Sequence, residues 1–164
     1  WMISRLARSR GKVLLLLGGH RFHGHSLRET GFRSYMRECA PHLTVLDSVV
    51  NLETRQLTYE TTLGLLARQP TLRGIYVAGG GMEGAIAALR ESRPQTEVAV
   101  VVSALTGDSR AGLAEGLVTL VTDTPLEKLC RDLIVVMTRA VVEGAPENGI
   151  QHFLPPDLHV AESI

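Results

Sequence analysis

Lys12-Val13-Leu14-Leu15-Leu16-Leu17-Gly18-Gly19 sets five apolar side chains in a row and closes them with two glycines. Successive strand residues point to opposite faces, so an unbroken apolar run is greasy on both and needs cover on both. The segment predicts a central parallel strand over 12–17 with helices above and below it. Working outward, the same pattern marks strands at 43–50 (LTVLDSVV), 73–78 (RGIYVA), 97–103 (EVAVVVS) and 118–122 (VTLVT). Amphipathic stretches separate them at 26–39, 54–68, 82–92 and 108–115, and a longer one follows at 125–143. Strand and helix alternate five times, the pattern of right-handed βαβ units. The expected fold class is therefore α/β, a parallel sheet of about five strands with helices on both faces.

The ends of these elements carry their own signals. Ser26-Leu27-Arg28-Glu29 and Thr124-Pro125-Leu126-Glu127 both read as capping boxes, the second strengthened by proline at the first helical position. In the last helix Leu126, Leu129, Cys130, Leu133, Met137, Ala140 and Val141 recur at spacings of three and four, a stripe expected to pack into the core, and Gly144 is a natural stop. Residues 145–149 (APENG) form a turn-rich connector. Residues 150–164 read as an extended tail that Pro155 and Pro156 keep out of any central strand. The expected organisation is one lobe over 1–149 and that tail over 150–164.

Composition narrows the function classes. With 164 residues, 45% of them hydrophobic and 21% charged, and a mean hydropathy of +0.11, the chain belongs with ordered globular domains. Lys and Arg number 17 against 17 Asp and Glu, so there is no summed positive field to drive phosphate contacts with nucleic acid. Cys39 and Cys130 fall in helical stretches without metal-ligand spacing and are expected to be buried, reduced thiols. Residues 1–10 (WMISRLARSR) are too polar for a signal peptide. No run approaches the roughly 18 apolar residues of a membrane span, so a cytoplasmic location is the expectation. Trp1 opens the chain in what reads as mid-helix sequence, the expectation being a piece of a longer protein.

Ligands of parallel α/β sheets gather beyond the carboxyl ends of the strands, so the loops there are where chemistry belongs. The first, GGHRFHGHS, has the Gly19 to Gly24 spacing of a phosphate-binding loop, but His25 stands where the essential lysine would be. His20, His23 and His25 read as a solvated loop rather than a metal site, and no metal is expected. Gly24-His25-Ser26 starts a nucleophile elbow that Arg28 breaks, since it takes the place of the second glycine. In the third loop Gly79, Gly81 and Gly84 spell G-x-G-x-x-G between a strand and a helix. The next strand ends in Val102-Ser103-Ala104 rather than in the acid that would hold a ribose. No enzyme signature is complete, and no cofactor is expected. What remains at the strand ends is a mixed set: Phe22, Arg28, Asn51, Glu53, Ser103, Thr106, Asp108 and Asp123. A fork donor, carboxylate acceptors and a flat apolar ring suit a hydroxyl-rich ligand.

The order of four segments, GKVLLLLGGHRFHGHSLRETGFR, LRGIYVAGGGMEGAIAAL, LTGDSRAGLAEGLVTLVTDTP and FLPPDLHVAESI, resembles the effector-binding domain of LacI-type transcriptional regulators, whose fold the periplasmic sugar-binding proteins share. The likeness covers nearly the whole chain and corresponds to the carboxyl-terminal lobe of a two-lobed, Rossmann-like type I periplasmic-binding-protein fold. It implies that Arg28, in the R-x-x-G-F signature Arg28-Glu29-Thr30-Gly31-Phe32, contacts a ligand, that Gly79 to Gly81 line a cleft, and that Asp123 reaches into it. Ser103-Ala104 departs from the pattern, since many members carry an acid there. The ligand-binding set expected is Phe22, Arg28, Glu53, Gly81, Ser103 and Asp123. The implied function is a non-enzymatic effector-sensing lobe of a DNA-binding regulator, taking a sugar or polyol, homodimeric, and meeting DNA only through an amino-terminal module outside this sequence. A periplasmic sugar-binding protein of a transporter is the alternative, and a nucleotide-binding enzyme resting on Gly79 to Gly84 a more distant one.

Overall fold

The computed structural model describes residues 1–144 and 152–164. The connector expected at 145–149 and the first two residues of the tail lie outside the described residues. A short helix α1 (Met2–Leu6) leads into β1 (Gly11–Leu17), α2 (His23–Cys39), β2 (Leu43–Val45), β3 (Val49–Val50), α3 (Arg55–Arg68), β4 (Leu72–Val77), α4 (Met82–Ser92), β5 (Ala99–Val102), α5 (Gly107–Ala114), β6 (Leu120–Asp123), α6 (Leu126–Glu143) and β7 (Asp157–His159). The sheet runs β2-β1-β4-β5-β6-β7, with β3 also pairing β1. All pairs are parallel except β6–β7, where Val121, Thr122 and Asp123 face His159, Leu158 and Asp157.

β1 is central, and Val13 through Leu17 are fully buried. Its side chains divide by parity. Leu14 and Leu16 join Ile75, Val77, Val100, Val102, Ile86, Leu89 and Leu113 in the core shared with α4 and α5. Val13 belongs to the opposite core, with Ile3 of α1 and Met36 of α2, while Leu15 and Leu17 form a third cluster beside Phe32. Each buried branched side chain contributes about 1.5–3 kcal/mol, which is why a run apolar on both faces lies between two helical layers. Gly84 fixes how near those helices come. A Cβ there would stand 2.1 Å from the Arg55 carbonyl oxygen and 2.7 Å from the Tyr59 nitrogen, so α4 rests directly on the backbone of α3. The third glycine of the dinucleotide-like motif is thus a packing residue.

Several expectations are corrected. The stretch 43–50 is not one strand. Both β2 and β3 pair β1, but residues 46–48 break the ladder, and the Arg33 guanidinium bonds the Leu46 carbonyl and the Ser48 hydroxyl there. Ser26 caps nothing, because α2 begins three residues earlier behind Phe22. Thr124 makes no cap bond either, since Pro125 is the residue preceding α6. Side-chain caps are found instead at Thr54, which accepts from the Leu57 N–H at 3.4 Å, and at Thr106, which exchanges bonds of 3.2 and 2.7 Å with Ser109. Both cysteines are exposed. The apolar stripe of α6 is not core: none of its residues is buried, and Leu133, Ile134 and Met137 are 51%, 64% and 58% exposed. Among the described residues no helix is long and apolar enough to cross a membrane.

Candidate functional site

The chain leaves β1 through α2 toward β2 and β3 on one side, and leaves β4 through α4 toward β5 on the other. The two connections diverge, so a crevice opens beyond the carboxyl ends of β1 and β4, the topological switch point of the sheet. Its floor is Gly18 and Gly19 after β1 and Ala78, Gly79 and Gly80 after β4. Three side chains converge on that floor, two from α2 and one from the turn after β3.

Arg28, in the second turn of α2, donates from Nη1 to the Ala78 carbonyl oxygen. His25, nearly one turn earlier, is 7% exposed, and its Nδ1 is buried without a hydrogen-bond partner among the described residues. Its Nε2 lies 3.5 Å from Oε1 of Glu53, which in turn accepts the Gly80 N–H at 3.3 Å. Close approach requires the bare backbone beneath this pair. A Cβ on Gly79 would meet the His25 ring at 2.8 Å and Oε1 of Glu53 at 2.9 Å, and one on Gly18 would meet the Glu53 side chain at 2.4 Å.

Glu53 reaches this position by an unfavourable backbone. Leu52 and Glu53 have φ of 52° and 57°, left-handed values that cost on the order of 1–3 kcal/mol at each non-glycine residue. Buried Asn51 over-determines the turn. Its amide nitrogen donates to the Thr58 hydroxyl and the Gly80 carbonyl, both at 2.9 Å, and its Oδ1 accepts the Glu53 N–H at 3.0 Å. Thr58 passes its own proton to the Thr54 carbonyl at 2.7 Å. Gly81, at φ 85°, turns the chain into α4 directly over this network. Strain held at a crevice by a fully bonded network is a mark of a functional position.

The other expected residues are placed unequally. Phe22 precedes α2, is 51% exposed, and lays its ring 4.9 Å from that of His25, so it is an open apolar surface beside the crevice. Ser103, at the end of β5, donates its hydroxyl to the Val77 carbonyl at 2.8 Å and so clamps the ends of two strands. Asp123, at the end of β6, accepts the Thr124 N–H at 3.0 Å and lines a separate cleft of about 530 Å³ with Glu127, Lys128, Arg131, Asp132 and Asp157. Strands spaced about 4.8 Å apart put it roughly 10 Å from β4. The structure thus gathers Phe22, Arg28, Glu53 and Gly81, keeps Ser103 at the margin, and holds Asp123 apart.

The expected solvated histidine loop is corrected at one position. His20 and His23 are exposed, but His25 lies inside α2 and is buried. Spacing alone does not single it out, because its importance comes from Glu53, 28 positions away. Asn51 is visible in the sequence only as one polar residue after a strand. Nearby Glu29 is held below the usual carboxylate range, first by the Ser48 hydroxyl at 2.5 Å and then by Arg33 at 2.9 Å, against partial burial. Among the described residues no group of three or more His, Cys, Asp or Glu side chains is placed to hold a metal ion.

The sequence matches the family described as Periplasmic binding protein domain over residues 1–145. No curated protein matches the chain. Solved structures with the same fold include an ABC transporter periplasmic solute binding protein from Actinobacillus succinogenes 130z with bound D-allose, at TM-score 0.81 and 18% identity over 99% of this chain and 57% of its own. AraP, an arabinose binding protein from Geobacillus stearothermophilus, aligns at TM-score 0.80 and 15% identity over 98% of this chain and 57% of its own. GanP, a glucose-galactose binding protein from the same organism, aligns at 0.84 and 13% over 99% and 58%. The chain therefore spans a little over half the length of these proteins.

Proposed function

We propose, from the premise that this chain belongs to the periplasmic binding protein domain family, that it is one lobe of a sugar-binding protein of the transporter type, taking its ligand at the crevice between β1 and β4. The observation that carries this reading is the convergence of Arg28, His25 and Glu53 on Ala78, Gly79 and Gly80 at the switch point. Arg28 supplies fork N–H donors, Glu53 a carboxylate acceptor and Phe22 an apolar face, three contacts that suit different parts of a hydroxylated ring. Nothing in this set needs to break a bond. Binding energy would instead favour a closed arrangement of two lobes over an open one.

The exposed helix supports a two-lobed protein. The family match runs through α6, yet α6 buries no residue in this lobe. The chain leaves the sheet at Asp123 and re-enters on the same edge at Asp157. An apolar helix that departs and returns in this way has its packing partner elsewhere, and the remaining two-fifths or so of the related proteins' length is where that partner would be.

A second reading keeps the ligand site and changes what closure drives: the effector lobe of a LacI-type regulator, cytoplasmic and dimeric, with DNA bound by a separate module. The retained Arg28-Glu29-Thr30-Gly31-Phe32 signature favours it, since Arg28 does reach the end of β4. The sequence preceding Trp1 separates the two, a basic helix-turn-helix for the regulator and a signal peptide for the transporter component.

The test is thermal unfolding of the complete two-lobed protein against a panel of sugars, polyols, sugar acids and sugar phosphates. A true ligand at a hundred times its Kd stabilises by about 2.7 kcal/mol through linkage. Arg28→Ala should remove that stabilisation. A stabilising sugar to which the variant responds unchanged places the site elsewhere.

A further inference from the structure

We propose that this chain carries a second small-molecule site, at the amino-terminal ends of β4 and β5, built for a small zwitterion with an aliphatic side chain, that is, an α-amino acid. The site is a cavity of about 220 Å³ between the α1–β1 link, Leu6 to Ser9, and Arg73, Glu97 and Ala99. Five steps along β4 separate Arg73 from Ala78, roughly 16 Å at about 3.3 Å per residue. The cavity therefore lies at the end of the sheet opposite the crevice and does not depend on the ligand reading given for it.

The sheet is distorted to put Arg73 here. Lys12 pairs Leu72 and Val13 pairs Gly74, so Arg73 is an extra residue in the β1–β4 ladder. Leu72 and Ile75 both join the core on the α4 side, which leaves Arg73 and Gly74 together on the face that carries α1. A Cβ on Gly74 would stand 2.4 Å from Ile3 of α1, and one on Gly11 would stand 2.2 Å from Cγ of Arg73. Two glycines thus let α1 rest on the sheet and let the arginine stem lie across the start of β1. An extra residue of this kind re-aims a side chain, is uncommon in a parallel pair, and recurs beside functional sites. The α1–β1 link is fixed as well, since His42 donates from Nε2 to the Ala7 carbonyl at 2.8 Å and accepts the Gly11 N–H at its own carbonyl at 3.4 Å.

The charges around the cavity are not satisfied within the chain. Among the described residues no carboxylate lies within 4 Å of Arg8 or Arg73, and no cation within 4 Å of Glu97, although all three line one small space. Nε of Arg73 is buried without a hydrogen-bond partner among the described residues, so the edge it can offer a ligand is its Nη pair. Two guanidinium groups and the Ser9 hydroxyl supply donors for a carboxylate, in charge-assisted bonds. Glu97 supplies the acceptor for an ammonium, and Leu6, Ala7 and Ala99 an apolar wall for an aliphatic side chain. A simple anion would bring its charge against Glu97, and a simple cation would meet the two arginines. A molecule with both signs satisfies the whole set.

The experiment is a ¹⁵N–¹H NMR titration of this chain at fixed ionic strength with L-leucine and its two part-molecules: 4-methylpentanoate, which lacks the ammonium, and 3-methylbutylamine, which lacks the carboxylate. Leucine should shift the amides of Ala7 to Ser9 and of Arg73, Val98 and Ala99 at concentrations about tenfold lower than either part-molecule, the worth of one charge-assisted bond. The amides of Gly79 to Met82 at the crevice should stay in place. Arg73→Gln should raise the leucine concentration about tenfold, and Arg8→Gln, at an exposed position that leaves the fold alone, should raise it in the same direction. Glu97→Gln should bring leucine level with 4-methylpentanoate. If 4-methylpentanoate matches leucine on the parent chain, the zwitterion is overturned as the ligand class. Leucine shifts confined to other residues, absent altogether, or unchanged by both arginine variants would overturn the site itself.

Discussion

Gly81→Ala tests the geometry of the crevice most directly. Gly81 has φ 85°, where an alanine costs roughly 1–2 kcal/mol. Its new Cβ would stand 2.4 Å from the Thr58 hydroxyl, 2.9 Å from the Thr54 carbonyl and 3.1 Å from the Asn51 amide nitrogen. Relief requires Thr58 or Asn51 to move, and both are fully buried. Breaking their mutual bond orphans a buried donor, at about 1–3 kcal/mol. The sum is about 2–5 kcal/mol, a large share of a typical total of about 5–15. Urea unfolding followed by circular dichroism reads it. Gly116→Ala is the control, because Gly116 has φ 72° but open space around it, so it should lose only the conformational part, about 1–2 kcal/mol. Equal losses in the two variants would refute the steric reasoning and with it the tight seating of Gly81 on the Asn51–Thr58 network.

Gly31→Ala should stabilise the chain by about 0.5–1 kcal/mol, since Gly31 lies inside α2 and a methyl added there meets nothing within 4 Å; a loss in the urea midpoint would contradict the open space. Glu29 is depressed below its ordinary value of about 4.5, so it contributes stability that is present above that pH and lost as pH falls through the lower folded value. Urea midpoints from pH 6 to pH 3 should therefore fall less steeply for Glu29→Gln than for the parent. Thr106→Ala removes the capping box of α5 and should cost about 1 kcal/mol in the same assay. Leu133→Glu, on the exposed stripe of α6, should change the stability of this chain by less than about 0.5 kcal/mol while lowering its binding of a hydrophobic dye; in a two-lobed protein the same change should be strongly destabilising.

The α/β class and the strand positions are legible in the sequence because they follow from local pattern. Val13 to Leu17 must be covered on both faces wherever the chain goes, and βαβ connections have one hand. The carboxyl ends of β1, β4, β5 and β6 fall within two residues of their expected positions for that reason. The expectations that fail all concern neighbours. The α6 stripe has the periodicity of a core helix, and periodicity states that a face is apolar without stating what covers it. Ser26 and Thr124 have capping chemistry, but a cap depends on where the helix starts, and Phe22 and Pro125 hold those places.

The site divides along the same line. That polar residues sit beyond the strand ends follows from the local pattern of the chain, and Arg28, Glu53 and Gly81 are legible among them. No local pattern states that Arg28, Glu53 and a buried His25 meet on one glycine floor while Asp123 does not; that comes from the packed fold. A strand's side-chain direction is set by its own two-residue period, whereas the meeting of α2, the Asn51–Glu53 turn and the Gly79 loop depends on strand order. That order, β2-β1-β4 rather than the order of synthesis, is fixed by which hydrophobic faces bury together across the whole sheet.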